Sequence, residues 1–468
     1  MAYVSLPKPG LLISNSHLLV CASPWTALQC ALPLLSPWEM SILYFEKVQM
    51  GTYAIREVQQ ALANRSAQPP RVTPGLERVR DDAHAFELAD QLAVRFAEGA
   101  ALRDRERQLP WEALDDLSAS GLLTLTVPKS FGGPGLPYST TIGVVDRLSR
   151  GDPSLGQLTL SMLVAIRLLI TAGTPEQQHY FFAKILSGYR WGNASAEVGG
   201  PRTDTSTTRL TRVADSDDFQ LDGVKGYSTG SLFSQLITIV CRDDEGRTVS
   251  AVIERDAPGL EIEDDWDGFG QRTTASGTLR LKAVRVRRDH VFHTEQLGKL
   301  SHSYGLPYLV HAAIDVGIAR AALNDTVDYV QHKARAWRTT SLSKASDDPL
   351  VVSEIGRLNI RLEAAAALLD RASLAFDVAV SSNKAEDMTV AHIRIAEANV
   401  LAAEIAVEAS SKLFQLCGAS ATRASLALDR HWRNARTHTV HDPVHWKVHA
   451  VGDYVLNGTA PRNGRPRA

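Results

Sequence analysis

Residues 219–230, FQLDGVKGYSTG, decide the fold class, because apolar and polar side chains alternate along them and the stretch ends in a glycine-containing turn. Such alternation predicts a half-buried β-strand. Three further stretches alternate or are short and apolar: LITIVCRD at 236–243, RTVSAVIER at 247–255 and GTLRLKAVRV at 277–286. The region 191–295 is therefore predicted to be a β-domain.

On both sides of this region the apolar residues recur at helical spacing. The predicted helices cover 76–98, 110–121, 138–150, 154–171, 175–187, 303–335, 349–381, 386–417 and 421–435. The stretch from Leu155 to Ile170 is apolar on nearly every face, which predicts a buried helix. The later helices are rich in Ala and Leu and are predicted to pack as a bundle. The predicted fold class is mostly α with a central β-domain, which divides the body into 76–190, 191–295 and 296–468.

The composition is that of an ordinary globular protein. The chain has 468 residues, of which 44% are hydrophobic and 22% charged, so disorder over most of its length is excluded. Its 50 basic and 52 acidic residues argue against a nucleic-acid-binding protein, which normally carries a basic excess. Only Cys241 and Cys417 lie in the body, which favours a reducing cytoplasm over a disulfide framework.

The first 75 residues differ from the body and are predicted to be a disordered leader and linker. Residues 9–38 carry no Asp, Glu, Lys or Arg, but three prolines interrupt them, which argues against a membrane-spanning helix. Three interpretations of the beginning remain open: a disordered extension, a start site placed upstream of a true start at Met50, or a targeting segment. Residues 64–75, NRSAQPPRVTPG, are typical of a linker.

Common catalytic and cofactor motifs are missing from the sequence. It contains no Cys-x-x-Cys pair, no His-Glu-x-x-His and no Walker loop, and no metal site is predicted. FGGPG at 131–135 is too loose for a dinucleotide fingerprint and does not follow a predicted strand. If the chain is a redox enzyme, nicotinamide chemistry is therefore expected to come from another protein.

The densest group of chemically active side chains lies near the C terminus. Five of the chain's 14 histidines lie between Arg430 and Val451: His431, His438, His441, His445 and His449. They indicate either a basic, solvated helix end or a polar active-site segment, since histidine donates or accepts protons near neutral pH. Pro443 is expected to end the helix and leave His441 and Asp442 at a helix-to-loop junction.

Three stretches, in this order along the chain, resemble one family. They are TAGTPEQQHYFFAKILSG at 171–188, FQLDGVKGYSTGS at 219–231 and RNARTHTVHDPVHWK at 433–447. Together with the order of helices and strands, they resemble the acyl-CoA dehydrogenase superfamily. The third stretch resembles its flavin-dependent monooxygenase branch, which includes dibenzothiophene monooxygenase and the sulfur-acquisition oxidoreductases. The resemblance implies a barrel-like middle domain and a C-terminal four-helix bundle.

The resemblance also implies an activity. A cytoplasmic homotetramer would bind reduced FMN, supplied by a separate NAD(P)H:flavin reductase, and would insert one oxygen atom from O2 into an organosulfur or other small organic substrate. Two alternatives remain open: an acyl-CoA dehydrogenase with FAD and Asp442 near the position of the base, and a flavin-binding scaffold with little activity. Aspartate is one methylene shorter than the glutamate of the dehydrogenases, and proton abstraction depends on close positioning.

The site residues follow from the same resemblance. It implies that His441 lies near the reactive carbon of the flavin and moves a proton there, with His438 close by and Thr229 beside the flavin ring. The implied cofactor-binding residues are Asn193, Ser195, Ser228, Trp266, Arg272, Arg335, Gln415, Gly418, Arg433 and Asn434. Arg335 is expected on the flavin phosphate, and Gln415 and Gly418 in support of a neighbouring subunit's cofactor. One departure is that Ser161 and Met162 stand where these monooxygenases usually carry a histidine or aromatic residue.

Overall fold

The computed structural model describes residues 70–198, 206–293 and 305–461, and the backbone of two short strands near the N terminus. These strands, β1 (Leu12–Ser14) and β2 (His17–Leu19), pair antiparallel with Leu12 opposite Leu19. The rest of the predicted leader up to residue 69 lies outside the described residues, so its disorder and its start at Met50 stay predictions.

The N-terminal part of the body is helical, and each predicted helix there is confirmed. The helices are α1 (Asp82–Glu106), α2 (Trp111–Ala119), α3 (Tyr138–Gly151), α4 (Pro153–Ala172) and α5 (Pro175–Leu186). The start of α1 is fixed by Asp81, whose carboxylate accepts from the His84 backbone N–H at 2.9 Å. Apolar residues of α1, α2, α4 and α5 share one core with Trp191 and Phe292 from the β-domain.

Helix α4 is buried, which confirms the prediction made for this stretch. Asp152 caps it and Pro153 occupies its first position, where a missing N–H costs nothing. It and a later helix, Gly305–His332, are long and apolar enough to cross a membrane, but 72% and 78% of their most apolar windows are buried inside the protein. Both helices are therefore core helices of the fold.

The predicted β-domain is confirmed as one eight-stranded sheet. Its strands are β3 (Trp191–Ala194), β4 (Arg209–Arg212), β5 (Phe219–Lys225), β6 (Leu236–Arg242), β7 (Thr248–Glu254), β8 (Leu260–Ile262), β9 (Leu279–Val286) and β10 (Val291–His293). The order is β10-β7-β6-β4-β5-β9-β8, with β3 parallel beside β6. A bulge in β5 lies between Leu221 and Gly223, where a Cβ would come within 2.5 Å of Thr208 Oγ1, so only glycine fits there.

The C-terminal part returns to helices. They are α6 (Gly305–His332), α7 (Pro349–Ser382), α8 (Ala385–Cys417), α9 (Asp429–Thr439) and α10 (Val444–Asn457). Apolar faces of α6, α7 and α8 form a second core with α3. Their Ala-rich surfaces let the helix backbones approach closely. Helix α6 lies at the centre of the bundle, where it shares the core with the other three helices.

The predicted bounds of two helices are wrong. The helix expected at 76–98 lies at Asp82–Glu106, where Asp81 caps its start. The helix expected at 421–435 begins only at Asp429, and two short 3-10 turns precede it. The local reason is Ala427, whose left-handed backbone (φ 49°) interrupts a helical path that its side chain alone would favour. The helix also continues past its predicted end at 435 to Thr439. Pro443 precedes α10, so His441 and Asp442 lie at a helix end, as predicted.

Candidate active site

A buried chain of polar side chains joins α6 to α9. Asp315 and His311 lie one helical turn apart on α6, and both contact His438 on α9. His438 Nδ1 lies 2.6 Å from Asp315 Oδ1, and His438 Nε2 lies 2.9 Å from His311 Nδ1. All three residues are at most 5% exposed. The structure thus gives His438 two specific partners within the protein.

His441 lies at the outer end of this chain. Its side chain is 56% exposed, and its ring centroid is 4.3 Å from that of His311. Asp442 Oδ2 lies 3.5 Å from both His441 Nδ1 and Lys447 Nζ. One polar atom each of His311, His441 and Asp442 lies within 4.8 Å of the others. The junction of α9 and α10 therefore presents a compact group of acids and bases to solvent.

Burial sets the charge state of this group. Burial, together with the nearby His441, His438 and Lys447, holds the pKa of His311 well below its ordinary value. Burial works to raise the pKa of Asp442, but His441 and Lys447 outweigh it and lower that pKa. Burial lowers the pKa of Lys447 against the opposing pull of Asp442. The site at neutral pH thus combines a neutral inner imidazole with an ionised outer carboxylate.

A second polar cluster surrounds Thr229 at the edge of the β-domain. Thr229 Oγ1 lies 2.7 Å from Ser276 Oγ, and the Thr229 carbonyl accepts from the Asn193 backbone N–H at 3.4 Å. The Ser161 hydroxyl of α4 donates to the same carbonyl at 3.1 Å. Ser161, which stands where a histidine or aromatic residue was expected, therefore anchors the loop that carries Thr229.

A series of hydrogen bonds connects this cluster with α9. Thr274 Oγ1 lies 2.9 Å from Ser276 Oγ and donates to the Gln271 carbonyl at 3.0 Å. The Gln271 backbone N–H in turn donates to Asn434 Oδ1 at 2.6 Å, across 163 residues of sequence. This hydrogen-bond network therefore reaches the helix that carries His438, one helical turn beyond Asn434.

Several predicted cofactor residues lie in or beside this network. The Trp266 indole N–H donates to the Gln271 carbonyl at 3.0 Å, and the Ser195 hydroxyl donates to Asn193 Oδ1 at 3.1 Å. Ser228 is fully buried, and its hydroxyl has no hydrogen-bond partner in the described parts of the chain. The same holds for Nε of Arg272. Both groups are hydrogen-bond donors that have no acceptor among the described residues.

Other predicted residues have different surroundings. The Arg433 guanidinium contacts Asp104 of α1, Asp429 and the Phe269 carbonyl, so it fastens α9 to the rest of the fold. Arg335 is exposed in the loop after α6. The exposed residues Gln415 and Gly418 end α8, and Gln415 accepts from Lys412 Nζ at 2.8 Å. Within one chain these residues stay outside the network, and their roles in binding a cofactor stay predictions.

An open cleft of about 920 Å³ lies beside the junction of α9 and α10. Its walls include Asp442 and Pro443, which follow His441 directly, and charged side chains of α7 and α8 such as Arg361, Glu408 and Lys412. This volume lies within the range of small-molecule sites. A ligand thus has room on the side of the junction that faces solvent.

The sequence reasoning missed His311 and Asp315. A signal was present, because they are spaced by one helical turn in a helix whose neighbouring residues are almost all apolar. Polar residues in such a place need partners. The partner lies 127 residues further along the chain, so the pairing could not be read from sequence.

The order of elements and the polar junction define the class of protein. Family models of acyl-CoA dehydrogenases match three successive parts of the chain: the N-terminal domain at 76–189, the middle domain at 193–284 and the C-terminal domain at 309–446. The chain belongs to the acyl-CoA dehydrogenase superfamily, in its flavin-dependent monooxygenase branch.

Individual relatives support this placement. The dibenzothiophene monooxygenase of Mycolicibacterium goodii is 32% identical over 81% of this chain and 95% of its own length. The probable FMNH2-dependent monooxygenase SfnC of Pseudomonas putida is 31% identical over 81% of this chain and 96% of its own. The crystal structure of FMN-bound TdsC from Paenibacillus sp. A11-2 aligns with a TM-score of 0.78 at 27% identity, over 81% and 98% of the two chains.

Proposed function

We propose that this protein is a reduced-FMN-dependent monooxygenase that transfers one oxygen atom from O2 to an organosulfur or other small organic substrate. The observation that carries the proposal is the series of hydrogen bonds that links Thr229 to Asn434 on α9, the helix that also carries His438 and leads to the exposed His441. Thr229, Asn434, His438 and His441 are among the residues that the resemblance to flavin-dependent monooxygenases assigns to the flavin site. Relatives that align with 81% of this chain are named as monooxygenases.

The residues of the Thr229 cluster fit a flavin. Hydroxyl and backbone N–H groups suit the oxygen and nitrogen atoms at the edge of a flavin ring, and the unpartnered hydroxyl of Ser228 is such a group. We propose that Asn193, Ser195, Ser228, Trp266 and Arg272 hold the ring, with Asn434 and Arg433 supporting them from α9. Arg335 would bind the phosphate, because a guanidinium contacts two phosphate oxygens at once.

The bound reduced flavin supplies two electrons, so that one atom of O2 enters the substrate and the other leaves as water. The chain's own contribution is to hold and move a proton at the His441 imidazole, which lies beside the Asp442 carboxylate. His438 and Thr229 orient the groups around it. The buried walls formed by α4 and α6 exclude water from the inner side.

A dehydrogenase that uses Asp442 as the base is less well supported. Asp442 lies between His441 and Lys447, and its pKa is lowered, so it is a poor proton acceptor. The cofactor distinguishes the two activities. Mass spectrometry of the flavin that the purified protein binds is expected to give FMN, whereas FAD would favour the dehydrogenase.

The activity test combines the purified protein with FMN, NADH, a flavin reductase and dibenzothiophene or a smaller thioether under isotopically labelled O2. The expected product carries one labelled oxygen atom. Oxidation of an acyl-CoA with an electron acceptor and no O2 would instead show a dehydrogenase. Flavin binding with neither activity would show a scaffold.

We further propose that the enzyme is a cytoplasmic homotetramer that works with a separate NAD(P)H:flavin reductase. Helices α7 and α10 carry large apolar side chains on their exposed faces: Leu350, Val352, Ile360, Leu374, Val378, Val455 and Leu456. Self-association would cover such faces. Both body cysteines are free and buried, in keeping with a reducing compartment. Light scattering of the purified protein tests the assembly, and a monomer would contradict it.

A further inference from the structure

His311 contains a buried polar atom that the fold leaves unused. Its Nδ1 contacts His438, but its Nε2 has no hydrogen-bond partner among residues 70–198, 206–293 and 305–461. The residue is only 5% exposed, and a buried polar atom without a partner is rare in folded proteins. Because the ring lies against His441 and close to Asp442, the unused atom belongs to the site where a ligand would bind.

The two hydrogen bonds of His438 determine which proton His311 carries. A carboxylate only accepts, so ionised Asp315 requires a proton on His438 Nδ1. With that as the only proton on its ring, His438 accepts at Nε2, and His311 donates to it from Nδ1. His311 is left with a lone pair on Nε2. The opposite assignment would bury an N–H without an acceptor, which proteins tolerate less well than an unused acceptor.

We propose that Asp315 and His438 fix His311 as its Nδ1–H tautomer, so that its Nε2 lone pair accepts a hydrogen bond from an O–H or N–H group bound beside His441. The inference rests on the proposed function for the identity of the reaction. Asp315 and His438 act through His311 and are positioning residues. The ligand group is a water molecule or a polar group of the substrate, held against the proton-carrying His441.

The same helix pair provides a matched control. His431 Nε2 lies 2.7 Å from Asp325 Oδ2, so a second carboxylate–histidine pair joins α9 to α6. His431 has no contact with His311 or His441 in the described structure. Removal of Asp325 therefore tests the loss of such a pair without any change at the His311 site.

The decisive variant is Asp315→Leu, which keeps the size of the side chain but removes the acceptor. His438 then has no partner for an Nδ1–H, so its proton moves to Nε2 and is donated to His311 Nδ1. Solid-state NMR of flavin-free protein with ring-labelled histidine distinguishes a bare nitrogen from an N–H. His311 Nε2 is expected to be bare in the wild type and in Asp325→Leu, and protonated in Asp315→Leu. A protonated Nε2 in the wild type would overturn the proposal.

The second readout is oxygen transfer. Asp315→Leu is expected to lower turnover by roughly tenfold or more, with FMN affinity changed less than about twofold, because a hydrogen-bond acceptor becomes a donor. The single variant His438→Gln should keep most of the wild-type rate, because the glutamine amide can donate to Asp315 and accept from His311 as the imidazole does. Full turnover in a folded Asp315→Leu would overturn the role. The NMR measurement tests the tautomer of His311 even if the protein transfers no oxygen. A failure of this inference can therefore be told apart from a failure of the proposed monooxygenase function.

Discussion

His438 Nδ1 lies 2.6 Å from Asp315 Oδ1, although 123 residues separate them in the chain. The pair joins α6, the central helix of the C-terminal bundle, to the short helix α9, which carries part of the His-rich segment of this sequence. Through it, the orientation of α9 and the position of the loop after it are tied to the core. The chemistry proposed for His441 thus depends on a buried contact that is invisible in the motif itself.

His441→Ala is expected to reduce oxygen transfer by about a hundredfold or more, because a positioned acid or base contributes that much to proton transfer. FMN affinity should persist, since the proposed ring-binding residues lie elsewhere. His449→Ala removes an exposed histidine from α10 and serves as the control. Unchanged turnover in His441→Ala would exclude the proposed role.

Asp104→Ala is expected to destabilise the fold by about 3 kcal/mol, because it leaves the Arg433 guanidinium without its buried carboxylate. The side chains of this pair are only 9% and 19% exposed. Asp116→Ala breaks the exposed pair with Arg95 and should cost less than about 1 kcal/mol. Urea unfolding of both variants provides the measurement, and equal losses would contradict the argument.

The free energy of unfolding is expected to fall as the pH drops below about 6.5, the ordinary pKa of histidine. Burial lowers the pKa of His311 and His431 in the folded protein, so the unfolded chain binds more protons in this range. Stability is therefore fully present above that pH and lost below it. Urea unfolding at pH values above and below about 6.5 measures this dependence of the free energy of unfolding on pH, and His311→Gln should make it less steep. An unaltered slope would show that His311 does not contribute.

Zn²⁺ is expected to inhibit the enzyme reversibly, because His311, His441 and Asp442 offer two imidazole nitrogens and a carboxylate oxygen within 4.8 Å of one another. In the proposed tautomer His311 donates its other ring N–H to His438, which lies 2.9 Å away, an arrangement that orients metal-binding histidines. Calorimetry of flavin-free protein should show Zn²⁺ binding that His311→Gln weakens, while His449→Gln does not. Equal binding by both variants would place the metal elsewhere.

Much of the fold could be predicted from the sequence. The helices from α2 to α8 begin and end close to the positions that apolar spacing predicts, because the spacing of apolar residues is a local property of the sequence, whereas α1 lies six to eight residues further along the chain than predicted. The start of α9 was misplaced because an Ala-rich stretch was interpreted by propensity, while Ala427 adopts a left-handed conformation that depends on its surroundings.

The candidate site was only half predictable. The motif around His441 was visible because its residues are adjacent in sequence, and Pro443 indicated the break beside it. His311 was not visible, because an isolated histidine in an apolar helix gives no sign of its partner. The link between Thr229 and Asn434 passes through the hydroxyls of Ser276 and Thr274 and the backbone of Gln271, and its contact with Asn434 spans 163 residues of sequence.

The sequence by itself determined the class of fold and the family, since both depend on periodicity and on short motifs that are local in the chain. Only the tertiary structure decided which acids and bases meet, because α6 and α9 are brought together by burial of apolar surface that many sequences satisfy equally well. The hydrogen bonds among Asp315, His438 and His311 are directional and short in range, so they exist only once that packing has fixed both helices.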